Sequence, residues 1–170
     1  ELMTGRKIKD VYTGIAGSHI NSINSHGVAK VKDTEVTELD IERVLEAARA
    51  VTLPSEQEVL HVIDQEYILD KQHEIKDPLG MNGVQLEVKV HIVTGAVAAA
   101  RNIVKCIKRC GLDVVQIILQ PIASAKAVLT EDEGELGVCL VDIGGGTTDI
   151  AVIKNGSIRH TAVLPIAGDQ

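Results

Sequence analysis

Aromatic side chains are almost missing from this sequence. It contains no Phe and no Trp, and Tyr12 and Tyr67 are its two tyrosines. Aliphatic side chains must therefore fill the core, and apolar residues do make up 45% of the composition, a normal share for a globular protein. The chain also lacks the aromatic platforms on which the bases of single-stranded nucleic acids stack.

Basic charge is in short supply as well. The formal net charge is −7, from 24 acidic and 17 basic residues. A partner such as duplex DNA requires a basic face that meets its phosphates, so the composition argues against nucleic-acid binding. No apolar run approaches the roughly 20 residues that span a bilayer, and no signal-peptide pattern is present. Nothing in these residues would anchor the chain to a membrane.

Cysteine is scarce and odd in number, with Cys106, Cys110 and Cys139. Cys106 and Cys110 are four residues apart on a predicted helix and would share one face of it. No histidines cluster near them in the sequence to complete a metal site. We therefore expect buried, reduced thiols, as in a reducing compartment such as the cytoplasm.

Residues 18–93 have the hydrophobic pattern of a small antiparallel sheet with one helix packed on it, in the order β–α–β–β. The helix should begin after Thr37, with Asp40 as the reciprocal capping residue. The clearest strand covers residues 84–92, where apolar and polar residues alternate. We expect one face of this strand to be buried and the other, which carries His91, to face solvent. Residues 71–83 should form a polar connection.

After residue 93 the pattern becomes that of a covered α/β sheet. It predicts helices over residues 96–110 and 121–130, and strands over 112–119 and 136–143. The acidic residues 131–135 should form a solvated turn. The two last strands, 148–154 and 157–164, should be joined by Asn155-Gly156, a pair that suits a type I′ turn.

The segment Asp142-Ile143-Gly144-Gly145-Gly146-Thr147-Thr148-Asp149 carries the chemistry. Apolar strands are expected on both sides of it, so the glycines should lie at the tip of a β-hairpin. Successive glycines let backbone N–H groups converge on one point, and they let a ligand approach without meeting a Cβ atom. The threonine hydroxyls add donors, and a carboxylate at a strand end can hold a hydrated Mg²⁺ against phosphates. The predicted phosphate and metal ligands are Asp142, Gly144, Gly145, Gly146, Thr147 and Thr148, with Asp142 reaching Mg²⁺ through water.

Other glycine motifs do not fit this context. A Walker loop needs a Gly-Lys-Ser/Thr sequence leading into a helix, and the dinucleotide fingerprint needs a further glycine at the position of Asp149. A plain glycine-rich hairpin is the structural alternative. However, Gly144–Thr148 is longer than a two-residue hairpin turn requires, and the flanking carboxylates have no structural purpose there.

Residues 141–149 resemble the second phosphate loop of the actin/Hsp70/sugar-kinase superfamily, which implies ATP and Mg²⁺ as cofactors. Upstream, residues 117–125 resemble the segment of that superfamily in which Glu-Pro leads into a helix of small residues. The glutamate there positions the attacking water or the metal, and Gln120 takes its place here. An amide can orient a water molecule but cannot act as a base. The resemblance thus makes Gln120 a candidate for orienting water and implies weak or no ATPase activity.

Further stretches narrow the resemblance, namely residues 16–20, 59–67, 77–81, 89–94 and 129–139. Together they are similar to the FtsA family of bacterial cell-division proteins. This likeness implies actin-like, ribonuclease H-like α/β segments that flank a small β-α-β-β SHS2 subdomain. The implied division is the end of subdomain 1A at 1–17, subdomain 1C (SHS2) at 18–93, the returning part of 1A at 94–134 and the start of subdomain 2A at 135–170.

The same resemblance implies a function for the protein of which this chain would be a piece. Members of the family bind ATP, form filaments and link the ring protein FtsZ to the inner membrane, on the cytoplasmic side at the division site. The contacts with FtsZ and with the membrane, the latter through a C-terminal helix, are expected in parts absent from this chain. Later division proteins are expected to dock on subdomain 1C. Alternatives are a type IV pilus assembly ATP-binding protein that shares this subdomain, or an actin-fold ATPase or kinase.

Overall fold

The computed structural model describes residue 5 and residues 7–168, which form a mixed α/β fold of the class predicted from the sequence. Among the described residues there are nine strands and four helices. The strands are β1 (Asp10–Ile15), β2 (Asn21–Lys30), β3 (Gln57–Leu69), β4 (Gln72–Ile75), β5 (Gln85–Ala96), β6 (Asp113–Leu119), β7 (Val138–Ile143), β8 (Thr148–Lys154) and β9 (Ser157–Leu164). The helices are α1 (Glu38–Arg49), α2 (Val97–Arg109), α3 (Gln120–Val128) and α4 (Glu131–Leu136).

The first large unit is a four-stranded antiparallel sheet in the order β2-β5-β3-β4, with α1 packed on one face. Alternate residues of β5 are buried because they face this helix. The core between sheet and helix is built on Val44, Ala48, Leu86, Val88, Val90 and Ile92. This unit has one short strand more than predicted, because β4 forms within residues 71–83, where a polar connection was expected. It is reached by a tight turn in which Asp70 and Lys71 have φ values of 47° and 75°, and Ile75 then pairs with Tyr67 and is buried.

Helix α1 begins as its capping sequence predicts. The backbone N–H and the hydroxyl of Thr37 both donate to Oδ2 of Asp40, over 3.0 and 2.7 Å. These two bonds, opposed by burial and supported by the nearby Arg43, hold the pKa of Asp40 at about 2. The carboxylate is therefore ionised at neutral pH and fixes the first turn of the helix.

The remaining elements form two further sheets. Strands β1 and β6 pair in parallel, and β7, β8 and β9 form an antiparallel meander. Helices α2 and α3 follow β5 and β6 directly. Ile63 of β3 and Ile122 of α3 contact both the core that contains Ile15 and Leu119 and the core of the meander, so the two cores are contiguous.

One local prediction, that of an acidic turn, needs correction. The acidic residues 131–135 are not a turn but part of the short helix α4. Thr130 and Glu133 form a capping box at its start, which supplies the backbone donors of the first turn with acceptors. No described helix is both long enough and apolar enough to cross a bilayer.

The cysteines are free, as expected, but the prediction that they are buried was wrong. Cys106, Cys110 and Cys139 are all exposed. Among the described side chains of α2 only Ala100 is fully buried, because the helix covers the sheet with one narrow face. Cys106 and Cys110 lie outside that face, and Cys139 points away from the meander core.

The second face of β5 also departs from its prediction. Gln85 is exposed and Glu87 and Lys89 are half-buried, but His91 is only 1% exposed. Strand β9, 70 residues away along the chain, covers this end of β5. The polar side of the strand is therefore exposed to solvent at one end and buried at the other.

Candidate phosphate-binding site

The glycine-rich segment lies at the tip of the β7–β8 hairpin, as the sequence predicts. Ile143 pairs with Thr148, and Asp142 pairs with Asp149. The N–H of Gly144 donates to the carbonyl of Thr147 over 2.9 Å, which closes the tip around Gly145 and Gly146. Residues 144–146 are exposed, so their backbone is open to a ligand.

The conformation of this tip does not itself require glycine at two of its positions. Neither Gly144 nor Gly146 has a left-handed φ, in contrast to Gly111 and Gly137. A Cβ atom at Gly146 would meet no other atom within 4 Å, and one at Gly144 would lie 3.2 Å from the carbonyl oxygen of Thr147. Backbone strain therefore does not explain these two glycines. Gly146 faces open space, whereas a side chain on Gly144 would crowd the Thr147 carbonyl.

Two carboxylates lie side by side behind the tip. Asp142 accepts a hydrogen bond of 2.7 Å from the Ser124 hydroxyl of α3. Asp149 is only 4% exposed; its Oδ2 accepts a bond of 3.3 Å from Thr147, and its Oδ1 is buried without a partner. Burial raises the pKa of Asp149, the Thr147 bond partly opposes this, and the negative charge of Asp142 adds to the rise.

This pair of carboxylates fits a hydrated divalent cation. A buried carboxylate oxygen without a partner is costly, and a nearby cation or its water shell would satisfy it. Mg²⁺ prefers oxygen ligands and is usually held by one or two carboxylates, several waters and the phosphates of a substrate. No cluster of three or more His, Cys, Asp or Glu side chains occurs in the part of the chain that the structure describes. A cation here would therefore retain waters or take phosphate oxygens as ligands.

The two threonines of the segment point to different sides. Thr147 reaches Asp149, whereas the Thr148 hydroxyl donates to the carbonyl of Ile166 over 2.6 Å. By the alternation of the paired strands, Thr148 lies on the face opposite Asp142 and Asp149. The structure thus brings Thr147 to the carboxylates but not Thr148. The chain after β9 also folds back on the tip, because the N–H of Gly168 donates to the carbonyl of Gly144 over 3.2 Å.

Gln120 is the first residue of α3, and its side chain lies over Gly14 of β1. A Cβ atom on Gly14 would be 3.1 Å from Cγ of Gln120, so the glycine makes room for this side chain. Ser124, four residues further along the same helix face, contacts Asp142. Gln120 therefore lies on the side of α3 that faces the carboxylates.

Two residues of this site were not among those predicted from the sequence. Asp149 is the more important, and its signal was present as the second carboxylate of the same motif. Ser124, which positions Asp142, follows Gln120 at helical spacing, but only the packing of α3 on β7 reveals its partner.

Two family models match the chain. The model described as the SHS2 domain inserted in FtsA matches residues 17–94, and the model of cell division protein FtsA matches residues 139–170. Cell division protein FtsA of Pseudomonas aeruginosa is 61% identical over 168 residues, that of Neisseria meningitidis 57% over 169, and that of Escherichia coli 50% over 169. Each alignment covers 99% of this chain. The chain belongs to the FtsA family.

The chain spans 40–41% of the length of these FtsA relatives. A similar solved structure is a PilM-PilN type IV pilus biogenesis complex, with a TM-score of 0.64 and 18% sequence identity. That match covers 99% of this chain and 46% of the other. At such low identity it shows a shared fold, whereas the relatives at 43–61% identity indicate the FtsA family rather than the pilus alternative.

Proposed function

We propose that this chain contributes one phosphate-binding hairpin to the ATP site of an actin-like cell-division protein. The observation that carries the proposal is the exposed tip at residues 144–146, with open space at Gly146, directly in front of the Asp142–Asp149 pair. Membership of a family whose relatives are named cell division protein FtsA supports the cellular role.

In this proposal the backbone N–H groups of the tip meet the phosphates. Asp142, oriented by Ser124, would hold Mg²⁺ through water, and Asp149 would add negative charge beside it. The cation supplies positive charge against the phosphate oxygens. Gln120 can orient a water molecule but cannot take its proton, so we expect slow hydrolysis or none.

The wider role rests on the family resemblance. It comprises filament formation, linkage of the FtsZ ring to the cytoplasmic face of the inner membrane at the division site, and recruitment of later division proteins through residues 18–93. The FtsZ and membrane contacts belong to parts of the longer protein outside this chain. The experiment below tests the nucleotide site.

The substitution Gly146→Ala in the longer protein separates binding from folding. The added methyl group meets no protein atom within 4 Å, so the free energy of unfolding should change by less than about 0.5 kcal/mol. The same methyl group would stand where a phosphate must approach. We expect the affinity for Mg-ATP, measured by calorimetry, to fall at least about tenfold. Gly145→Glu, which places an anion at the tip, should abolish binding.

Gly134→Ala is the matched control, since a Cβ atom there also meets nothing within 4 Å and Gly134 lies in α4, at the end of β7 opposite the tip. It should leave the affinity for Mg-ATP unchanged. Unaltered affinity in both Gly146→Ala and Gly145→Glu would disprove the phosphate assignment.

A further inference from the structure

A concave groove lies at the end of β8 opposite the glycine tip. It is an open cavity of about 760 Å³ between α3, α4, the β8–β9 turn and β3. Its floor is aliphatic and consists of Ile63, Ile122, Ala125, Leu129, Ile153 and Ile158. The nucleotide proposal makes no use of this groove.

The walls of the groove are held by hydrogen bonds between separate elements. The N–H groups of Asn155 and Gly156, in the β8–β9 turn, donate to the carbonyls of Glu135 and Gly134 over 3.2 and 3.0 Å. The Ser157 hydroxyl donates to the carbonyl of Asp64 in β3 over 2.9 Å. The groove is therefore formed in advance, which lowers the entropic cost of binding a partner.

The mouth of the groove is acidic. Glu131 and Asp132 are exposed and have no ion-pair partner among the described residues, while Glu135 pairs with Lys76. Lys126 is the one basic side chain in the lining. The helix dipole explains why acidic residues stand in the first turn of α4. Because these acidic side chains stand beside an aliphatic floor, the groove favours a ligand that is both apolar and basic.

Charge decides between classes of occupant. An anionic ligand would meet repulsion from Glu131 and Asp132 at the mouth. A favourable occupant carries apolar side chains for the floor and basic side chains for the mouth. The volume lies within the roughly 300–1,000 Å³ of ordinary binding pockets, and an amphipathic helix laid in a groove is a common recognition mode.

We propose that this groove binds a basic amphipathic segment of a partner protein. Aliphatic side chains on one face of that segment pack on the floor around Ala125 and Leu129. Its Lys or Arg side chains meet Glu131 and Asp132. The proposal is independent of nucleotide binding, since it involves none of the residues at the glycine tip.

The test uses the longer protein and a fluorescent peptide of about 18 residues, with Leu at helical spacing and Lys elsewhere. Anisotropy should show binding that weakens with added salt. In the double variant Glu131→Lys/Asp132→Lys we expect the affinity to fall at least about tenfold. Glu38→Lys/Glu42→Lys on α1 makes the same charge change at two exposed positions elsewhere and should leave the affinity within about twofold.

Ala125→Arg, which fills the floor and adds a positive charge, should also prevent binding. The double variant Glu131→Lys/Asp132→Lys, called the rim variant, tests binding in the groove without altering its core. Unchanged affinity in the rim variant would overturn the proposal, as would equal binding of a scrambled or Glu-substituted peptide. Binding to the 170-residue chain but not to the longer protein would overturn it too, since another part of the protein would then fill the groove. So would ultracentrifugation that shows a dimer dissociated by Ala125→Arg, because the occupant would then be a second copy.

Discussion

His91 is a single buried side chain that joins two parts of the molecule. Its Nδ1 lies 2.7 Å from Oδ1 of Asn24 in β2, and its Nε2 lies 3.0 Å from the Thr161 hydroxyl in β9. With the Asn24 oxygen as acceptor, Nδ1 carries the proton and Nε2 accepts from Thr161. Burial, and to a lesser extent the nearby His160, lowers the pKa of His91 to about 4. The neutral imidazole is therefore part of the native contact between the two sheets.

This environment predicts a loss of stability on mild acidification. The folded pKa of about 4 lies below the unfolded value of about 6.5, so the stabilisation is complete above pH 6.5 and is lost as the pH falls towards 4. We expect the free energy of unfolding in urea to drop by about 2 kcal/mol between pH 7.5 and pH 5 through this group. His61, whose Nε2 accepts the N–H of Leu119, titrates in the same direction, because burial lowers its pKa as well.

The variant His91→Gln isolates the contribution of His91 to this pH dependence. It should be less stable at pH 7.5 but lose less on acidification. Identical pH profiles for His91→Gln and the unmodified chain would contradict the assignment.

Gly27 shows how one position in a strand sets the distance between two elements. It lies within β2, under α1, and not at a bend. A Cβ atom there would be 2.2 Å from the carbonyl oxygen of Val44 and 2.7 Å from the backbone nitrogen of Ala48. The helix therefore packs directly on the backbone of the strand, which only glycine allows.

We expect Gly27→Ala to reduce the free energy of unfolding by about 3 kcal/mol, because backbone atoms of α1 would have to move away from the sheet. Chemical denaturation without nucleotide measures this change. Gly146→Ala is the matched control, since the same added methyl group meets no atom there and should cost less than about 0.5 kcal/mol. A cost below about 0.5 kcal/mol for Gly27→Ala as well would mean that α1 lies farther from β2 than described.

Elements defined by local chemistry were the ones that the sequence predicted best. The β8–β9 hairpin has its predicted strand bounds, and Asn155 and Gly156 have the positive φ values, 55° and 73°, that its turn requires. Strand β4 was missed because its pairing with β3 supplies most of its order. Helix α4 was missed although Thr130 and Glu133 are a local capping signal, because Gly134 and its short length weaken the pattern.

The candidate site was likewise predicted from the sequence only where local chemistry defines it. Its position at a hairpin tip follows from the glycine run and the flanking apolar strands. The burial of Asp149, the contact between Ser124 and Asp142, and the outward direction of Thr148 all depend on register and on packing between segments far apart in the chain. No periodicity within a single element contains that information.

The molecule as a whole presents two separate candidate binding features at the two ends of β8. The glycine tip, with its carboxylates, is at one end, and the aliphatic groove with its acidic mouth is at the other. The meander that carries both is tied to the four-stranded sheet by the hydrogen bonds from Gln65 and Ser22 to the backbone of β9. A nucleotide and a basic peptide should therefore bind the longer protein at the same time.

The 170-residue chain alone should not bind Mg-ATP measurably in calorimetry. Binding sites normally bury most of a ligand's surface, and here the tip at residues 144–146 is exposed, with a single wall around it. The chain spans about 40% of the length of its relatives, and the family resemblance puts the other half of the cleft in the remainder. The longer protein, titrated in parallel, should bind, and its Gly146→Ala variant should bind less. Hydrogen exchange of β8 and β9 verifies that the hairpin is folded in the isolated chain, so that an absence of binding does not result from unfolding. Micromolar affinity of the isolated chain would refute the two-sided cleft, whereas failure of both proteins to bind would refute the phosphate site itself.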